Sequence, residues 1–319
     1  MQSVCRNSFL IGSFLRNFAS EFLYKHIYMW VILAISSAIC LGFYDIFKKL
    51  SVTANNVLTV LLLNTLFGTL LMSPVIATGA AHGDFGLGNS LTGHLLIILK
   101  SVIVLASWIL GYFSIKHLPL TITGPINATR PILVLVGALL IFGETLNALQ
   151  WCGILLGFTS LYLVSRIGRK EGHSIVHDRW LWMSIGAMVM GAVSGLYDKW
   201  LLRSYEPLQV QAWYSLYQLI IMGITVLLLK RAGHDRTPFR WKWTIPCIAV
   251  FLTIADMAYF YALSYDDSMI SVVSMIRRGS VIVSFLFGVI VLREKNLRLK
   301  LIDLSVLLVG LVLLVLGSK

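Results

Sequence analysis

The sequence predicts an all-α integral membrane protein with ten transmembrane helices, arranged as two inverted five-helix repeats. Three observations support this fold class. The chain is 58% hydrophobic and 13% charged, whereas soluble domains carry about 25% charged residues. Its apolar residues form long continuous runs, while a membrane β-barrel would alternate apolar and polar positions. Short motifs from the first half of the chain also recur in the second half.

The apolar runs are long enough to cross a hydrocarbon core of about 30 Å as helices, which takes roughly 20 residues each. Short linkers separate these runs, and no stretch between them is long enough for a soluble domain. The ten predicted spans cover residues 29–50, 57–79, 94–115, 119–142, 147–165, 180–202, 208–229, 243–264, 268–292 and 300–317.

Residues 1–28 form an N-terminal extension before the first clear span. The segment SFLIGSFLRNF combines apolar residues with Arg16, as amphipathic surface helices do. The alternative is a chain start assigned too early, since Met29 immediately precedes the first span. We do not expect a cleaved signal peptide, because the segment lacks an apolar core followed by a small-residue cleavage site. We expect the extension to be poorly ordered and dispensable.

Paired motifs show that the chain repeats itself. GFYDIF, at residues 42–47, ends the first span, and GLYDKW, at residues 195–200, ends the sixth span at an offset of 153. GYFSIK, at residues 111–116, ends the third span, and AYFYAL, at residues 258–263, ends the eighth at an offset of 147. Small changes in offset are what insertions and deletions in loops produce.

The repeat assigns two halves to the chain, at residues 29–165 and 180–317. The offset of 147 takes Arg130 in the fourth span to Arg277 in the ninth. Because each half holds five spans, an odd number, the second half must be inverted in the membrane relative to the first. Inverted repeats are typical of secondary transporters, which bind their substrates near the membrane midplane.

A glutamate follows each of spans four and nine, Glu144 in FGETL and Glu294 in LREKNL. Together with the five-plus-five helix repeat, these motifs resemble the drug/metabolite transporter superfamily, and within it the EamA-type transporters. The resemblance covers residues 29–317. It implies a central cavity lined by the first four helices of each half, a peripheral fifth helix, and alternating access. The first motif keeps the family's pair as Gly143–Glu144, whereas the second has Arg293 before its glutamate.

Ionisable residues inside the spans are the strongest functional signal, because a charge at membrane depth is costly and needs a partner or water. The bases outnumber the acids, and a positive surplus around a cavity favours an anionic ligand. The bases are Lys100, Arg130, Lys199, Arg277 and Arg278, and the acids are Asp45, Asp198 and Asp256, with Asp303 near the start of the last span.

We predict that Arg130, Arg277 and Arg278 bind the substrate, because a guanidinium holds a carboxylate or phosphate bidentately. The resemblance implies the same role, since organic-phosphate members of the superfamily carry basic residues on the fourth helix and a basic pair on the ninth. Two alternatives stay open: Arg277 pairs internally with Asp256, or an arginine reaches towards a helix end. Pro131 either opens the fourth helix at substrate depth or only kinks it.

Tyrosines and aspartates complete the predicted site. Asp45 and Asp198, from the paired Tyr-Asp motifs, are predicted either to form gates with a lysine or arginine or to carry a coupling proton. The alternative for both is to cap a helix, or to pair with Lys48, Lys49 or Lys199 at the membrane interface. Asp256 lies deeper in its span, which makes it the better candidate for proton coupling. Three tyrosines are candidates for lining the cavity, with aromatic packing as the alternative: Tyr112, Tyr259 and Tyr261.

Several classes of function are disfavoured. The net charge is +12, but most lysines and arginines lie in short loops, where they orient a membrane protein, so we expect no nucleic-acid partner. The four cysteines are scattered and the histidines lie in loops or at span ends, so we expect no metal and no cofactor. The motifs H-E-x-x-H, G-x-S-x-G and the Gly-rich phosphate loop are absent, which argues against an enzyme.

The sequence therefore predicts a multi-pass secondary transporter of the inner cell membrane, carrying a small anionic or zwitterionic metabolite by exchange or proton coupling. Its expected partners are this small molecule and the lipid bilayer, with the chain acting as a monomer or homodimer. The alternative is a flippase for a lipid-linked sugar or phospholipid headgroup, whose phosphate would meet the same arginines. A scaffold without transport is disfavoured, because it has no use for buried charge.

Overall fold

The computed structural model describes residues 29–81, 91–142, 147–170, 178–231, 238–265, 268, 270–291 and 297–317. The predicted N-terminal extension, at residues 1–28, lies outside these ranges, as do the motif glutamates Glu144 and Glu294. All regular structure in the described ranges is α-helical, which confirms the predicted all-α class.

Twelve helices make up the described part of the chain. They are α1 (Met29–Val52), α2 (Val57–Ala81), α3 (Leu91–His117), α4 (Leu120–Ala128), α5 (Arg130–Phe142), α6 (Ala148–Lys170), α7 (Arg179–Leu201), α8 (Pro207–Arg231), α9 (Thr244–Ser264), α10 (Ile270–Arg278), α11 (Ser280–Ile290) and α12 (Leu297–Gly317). Six of them, α1, α2, α3, α7, α8 and α9, are long and apolar enough to cross a membrane. The protein is therefore a multi-pass membrane protein, in which predicted spans four and nine are each built from two helices.

The predicted fourth and ninth spans are interrupted at Thr129 and Gly279. Pro131 has no backbone N–H to continue the hydrogen-bond ladder, so the chain turns before it and the helix restarts as α5. The Thr129 N–H is shared between the Pro125 carbonyl at 3.2 Å and the Ile126 carbonyl at 3.3 Å. At the second break, the Gly279 N–H donates to the Ile276 carbonyl at 2.9 Å. Each break therefore contains a bond between residues three apart, as in a 3₁₀ turn.

The two breaks define the repeat register at the centre of the protein. They lie 279 − 129 = 150 residues apart, and the helices before them, α4 and α10, are each 9 residues long. This register pairs Asn127 with Arg277 and Arg130 with Ser280. The predicted equivalence of Arg130 with Arg277 is thus three residues out of register. Arg130 follows the break in the first half, whereas Arg277 and Arg278 precede the break in the second half.

Helices of one half pack mainly against helices of the other. α2 lies against α8 and α9, α3 against α7 and α8, α4 against α11, and α5 against α7 and α10. One hydrophobic cluster surrounds Leu61 and Ile248, and a second surrounds Val210 and Phe260. Because both clusters combine residues of the two halves, the core formed by the described residues is shared between the halves.

α3 and α7 run antiparallel. Lys100, near the start of α3, forms an ion pair with Asp198, near the end of α7. Further along, the Ser107 hydroxyl of α3 donates to the Ala187 carbonyl of α7 at 2.7 Å. The end of α7 therefore lies beside the start of α3.

A lysine caps the end of the third helix in each half. Lys49 of α1 donates to the Leu118 carbonyl after α3 at 2.8 Å. Lys199 of α7 donates to the Leu263 carbonyl in the last turn of α9 at 3.2 Å, and to the Ser268 carbonyl after α9 at 3.0 Å. A cation is favourable at a helix C-terminus, where carbonyls lack intrahelical partners. The ends of α1 and α7 therefore lie at opposite ends of α3, as inverted halves require.

α6 and α12, the last helix of each half, pack against each other at glycines. Gly153 and Gly157 form a G-x-x-x-G motif on α6, and a Cβ on Gly310 of α12 would lie 3.1 Å from the Gly153 carbonyl oxygen. Small residues of this kind let membrane helices approach closely. The Ser160 hydroxyl also donates to the Asp303 carboxylate at 2.7 Å across this interface.

Candidate functional site

A cavity of about 130 Å³ lies where the two halves meet. Its walls come from α1, α3, α7, α8 and α9 and from both interrupted spans, whereas no described residue of α6 or α12 contributes to them. A buried water needs about 10–15 Å³ of such space, so the cavity has room for on the order of ten waters or for a small metabolite.

The interrupted spans contribute equivalent positions to the cavity wall. Four pairs of lining residues are each 150 apart: Gly124 and Ser274, Asn127 and Arg277, Ala128 and Arg278, and Arg130 and Ser280. The cavity therefore follows the repeat symmetry, while its basic residues break that symmetry.

Charge is unevenly balanced in the cavity wall. Among the described residues, five basic side chains face three acidic ones: Lys48, Lys100, Arg130, Arg277 and Arg278 against Asp45, Asp198 and Asp256. The wall thus carries a surplus of two positive charges. Sequence reasoning counted Lys199 in this set, but Lys199 caps the end of α9. The sequence indicated Lys48 only as a possible partner of the paired aspartates at the membrane interface, whereas Lys48 pairs with Asp45, three residues before it, in the cavity wall.

Arg277 is paired and buried. Its guanidinium forms an ion pair with the Asp256 carboxylate, and its Cζ lies 4.2 Å from the centroid of the Tyr259 ring. The internal pairing considered for Arg277 is therefore present, and Arg277 still lines the cavity. Its Nε remains without a hydrogen-bond partner.

Arg130 and Arg278 make no ion pair with any residue in the described ranges. The Nε atoms of both are buried without a hydrogen-bond partner, and Arg278 is 7% exposed. Arg130 lies directly against Gly191, where a Cβ would overlap its guanidinium. Electrostatic interaction couples Arg278 to both Arg130 and Arg277. A buried cation surrounded by other cations needs water or an anion to be stable.

Two further ion pairs lie towards opposite ends of α3. Lys100, which is 1% exposed, pairs with Asp198 and places its Nζ 4.3 Å from the Phe260 ring centroid. Lys48 pairs with Asp45 at 2.6 Å, with its Nζ 5.5 Å from the ring centroid of Tyr112, near the end of α3. Aromatic rings stabilise both ammonium groups by cation–π attraction.

The predicted tyrosines have different environments. Tyr112 and Tyr259 are buried and line the cavity. Tyr261 is 40% exposed and lies outside the cavity wall, one residue along from a buried position on α9. Sequence reasoning missed Tyr214 and Trp108, which also line the cavity. No local signal sets these two apart from the many other aromatic residues in the spans.

The residues in the described ranges include no group of three or more His, Cys, Asp or Glu side chains able to hold a metal ion. The cavity wall itself presents charged groups, hydroxyls, the Asn127 amide and aromatic rings.

A multi-pass helical protein with a charged cavity between two repeats has the architecture of a membrane transporter. The chain belongs to the EamA-like transporter family, whose sequence profile matches residues 28–166 and again residues 178–316. An uncharacterized transporter from Archaeoglobus fulgidus is 24% identical over 289 residues, covering 90% of this chain and 98% of that protein.

The fold is also similar to that of a solved crystal structure, with a TM-score of 0.65. The two sequences are 15% identical, and the alignment covers 91% of this chain and 97% of the other. At that identity the likeness concerns the fold alone.

Proposed function

We propose that the protein is a secondary transporter that carries a small anionic or zwitterionic metabolite through the central cavity by alternating access. In this proposal the chain crosses the inner cell membrane ten times. The pairs α4–α5 and α10–α11 each form one interrupted span, and α6 and α12 supply the remaining two. An enzymatic role is not part of the proposal.

The observation that carries the proposal is the pair of cavity arginines without ion-pair partners, Arg130 and Arg278. They account for the surplus of two positive charges in the wall. A carboxylate or phosphate would satisfy their guanidinium donors bidentately, and such charge-assisted hydrogen bonds are stronger than neutral ones. A neutral substrate would leave both charges dependent on water alone.

The two lysine–aspartate pairs suit a role as gates. Lys100–Asp198 joins α3 to α7, and Lys48, paired with Asp45 on α1, reaches the Tyr112 ring on α3. Because these contacts lie towards opposite ends of α3, opening one while the other stays closed would expose the cavity to one side. In this proposal Asp256 holds Arg277 in place, and protonation of Asp256 would release that arginine for a second anionic group.

A binding screen on purified protein tests the proposal. Wild type, Arg278→Met and Arg179→Met would be compared by thermal shift against phosphorylated, carboxylated, cationic and neutral metabolites. Arg179 is the matched control because it is exposed at the start of α7. We expect anions to raise the melting temperature of wild type and of Arg179→Met, since ligands of the folded state add stability of RT ln(1 + [L]/Kd). Arg278→Met should lose that shift.

Other outcomes separate the alternatives. Stabilisation by neutral or cationic compounds alone would contradict the anion site. The same proteins would also be tested with short-chain phospholipids and lipid-linked sugar phosphates, and stabilisation confined to these lipids would favour a flippase. An unchanged anion shift in Arg278→Met would assign Arg278 a structural role.

A further inference from the structure

A second, smaller cavity of about 20 Å³ lies among α2, α3, α8 and α9. Its lining includes six uncharged polar side chains: Asn64, Thr65, Gln211, Ser215, Gln218 and Thr253. Because a water needs about 10–15 Å³ of such space, this amide pocket accommodates one or two water-sized groups.

Four amide atoms of this pocket lack hydrogen-bond partners. Asn64, Gln211 and Gln218 are each 2% exposed. Both Oδ1 and Nδ2 of Asn64 are without a partner, as are Oε1 of Gln211 and Nε2 of Gln218. Burying an amide without a hydrogen bond is unfavourable, so these groups require a guest.

Two of the three neighbouring hydroxyls donate to carbonyls of their own helices. Ser215 donates to the Gln211 carbonyl at 2.8 Å, and Thr65 donates to the Leu62 carbonyl at 2.8 Å. The unpartnered amide atoms therefore receive no hydrogen bond from Ser215 or Thr65, and Thr253 adds a third hydroxyl to the lining.

The amide pocket adjoins the central cavity. Trp108, Tyr214, Leu252 and Asp256 line both spaces. Asp256 holds Arg277 on the side of the central cavity. A molecule whose anionic group meets the arginines can therefore present an uncharged group to the amides on the other side of Asp256.

The chemistry of the open groups selects the guest. A bare cation would use the two oxygens but oppose the two N–H₂ groups, and an apolar group would leave all four atoms unsatisfied. A hydroxyl both donates and accepts, and its size fits the pocket. We propose that the amide pocket is a subsite for hydroxyl groups of the transported anion, so that the substrate class is a small hydroxylated phosphate or carboxylate. This inference rests on the transport function proposed above.

Pairs of compounds that differ only in hydroxyl groups test the subsite. Dissociation constants would be measured by calorimetry for glycerol phosphate against propyl phosphate, and for glycerate against propionate. The proteins are wild type, Asn64→Leu, Gln218→Met and Gln209→Met. Gln209 is the matched control, because it lies on α8 but lines neither cavity.

We expect wild type and Gln209→Met to bind the hydroxylated member of at least one pair about tenfold more tightly or better, as a hydrogen bond to a buried amide allows. Asn64→Leu and Gln218→Met should bind both members of that pair with similar affinity, while the affinity for the compound without hydroxyls stays within about twofold. Both substitutions replace an unpartnered amide with an apolar group of similar size, so the melting temperature without ligand should not fall.

The failures are distinguishable. Equal affinities of wild type for both members of each pair that binds, or a hydroxyl preference that persists in both pocket variants, would overturn the subsite and leave it as a site for water. Absence of binding by all four compounds would contradict the subsite and the proposed anion transport together. If Asn64→Leu does not fold, Gln218→Met decides the question alone.

Discussion

Gly191 on α7 sets the position of an unpaired cation on another helix. A Cβ at this position would overlap the Arg130 guanidinium. The overlapping atoms are the far end of a flexible side chain, so the arginine would move while the helices stay in place. Gly191 is thus a residue whose lack of a side chain matters more to the site than to the fold.

The first prediction concerns Gly191→Ala. Moving the Arg130 guanidinium should weaken binding of a stabilising anion by about tenfold, equivalent to roughly 1.4 kcal/mol. The melting temperature should stay level or rise, since alanine is favoured over glycine inside helices by up to about 1 kcal/mol. Calorimetric titration measures the affinity, and thermal denaturation measures the stability.

Gly223→Ala on α8 is the control, because a Cβ there meets nothing within 4 Å. It should bind the anion as wild type does. Equal affinities of Gly191→Ala and wild type would show that Arg130 does not contact the ligand.

At the scale of elements, the interrupted spans depend on the helix ends beside them. α10 follows α9 closely in the chain. Lys199, on α7 of the same half, donates to the carbonyl of Leu263 in the last turn of α9 and to that of Ser268 beyond it. Lys49 does the same after α3. Each cap fixes the point at which the chain enters an interrupted span, and so it positions the arginines at the break.

The second prediction concerns Lys199→Met. Loss of the ammonium should lower stability by about 1–2 kcal/mol, because charge-assisted hydrogen bonds to a helix C-terminus disappear. Amide hydrogen exchange in the last turn of α9 should accelerate, as measured by mass spectrometry. Lys116→Met, near the end of α3, is the control and should leave α9 unchanged. Unaltered exchange in Lys199→Met would mean that the cap contributes nothing.

At the scale of the whole molecule, inversion places equivalent groups at opposite ends. Asp45 and Asp198 come from the same motif in the two halves, yet their lysine partners lie towards opposite ends of α3. Both contacts lie in the wall of the same cavity. The proposed alternating access would use them as its two gates.

The third prediction neutralises each contact as a pair, so that no buried charge is left without a partner. Asp45→Asn with Lys48→Met should expose the cavity to one side of the membrane, and Asp198→Asn with Lys100→Met should expose it to the other. Accessibility of the cavity is measured with Ser194→Cys, because Ser194 lies in the cavity wall. The protein, with its native cysteines replaced, is reconstituted in proteoliposomes, and an impermeant thiol reagent is applied from one side. Ser194→Cys in the same cysteine-free chain, without the paired substitutions, is the control. Increased labelling from the same side in both double variants would contradict the gate assignment.

The class of protein, the two repeats and most of the charged cavity residues were predictable from the sequence. These properties depend on local composition: a run of about 20 apolar residues has to be a membrane helix, and a charge inside it has to face water or a partner. Arg130, Arg277 and Arg278 were therefore recognisable as candidates without knowledge of their neighbours.

The tertiary structure alone decided which of these charges are paired. Asp256 forms an ion pair with Arg277, Asp198 forms one with Lys100, and Lys199 caps the end of α9 instead. These choices depend on contacts between residues 21 to 98 positions apart, which composition and periodicity do not contain.

The offset of 150 is already present in the sequence between Glu144 and Glu294. The breaks at Thr129 and Gly279 show that it also applies at the site, where the motif offset of 147 paired Arg130 with Arg277. The amide pocket is visible only in the folded protein, because Asn64, Gln211 and Gln218 meet where α2 and α8, from opposite halves, pack together. Hydropathy and charge are properties of single segments, so they are enough to predict a membrane transporter with basic residues in its spans. Which of those residues face the cavity with open hydrogen-bonding groups depends on how the two halves pack against each other.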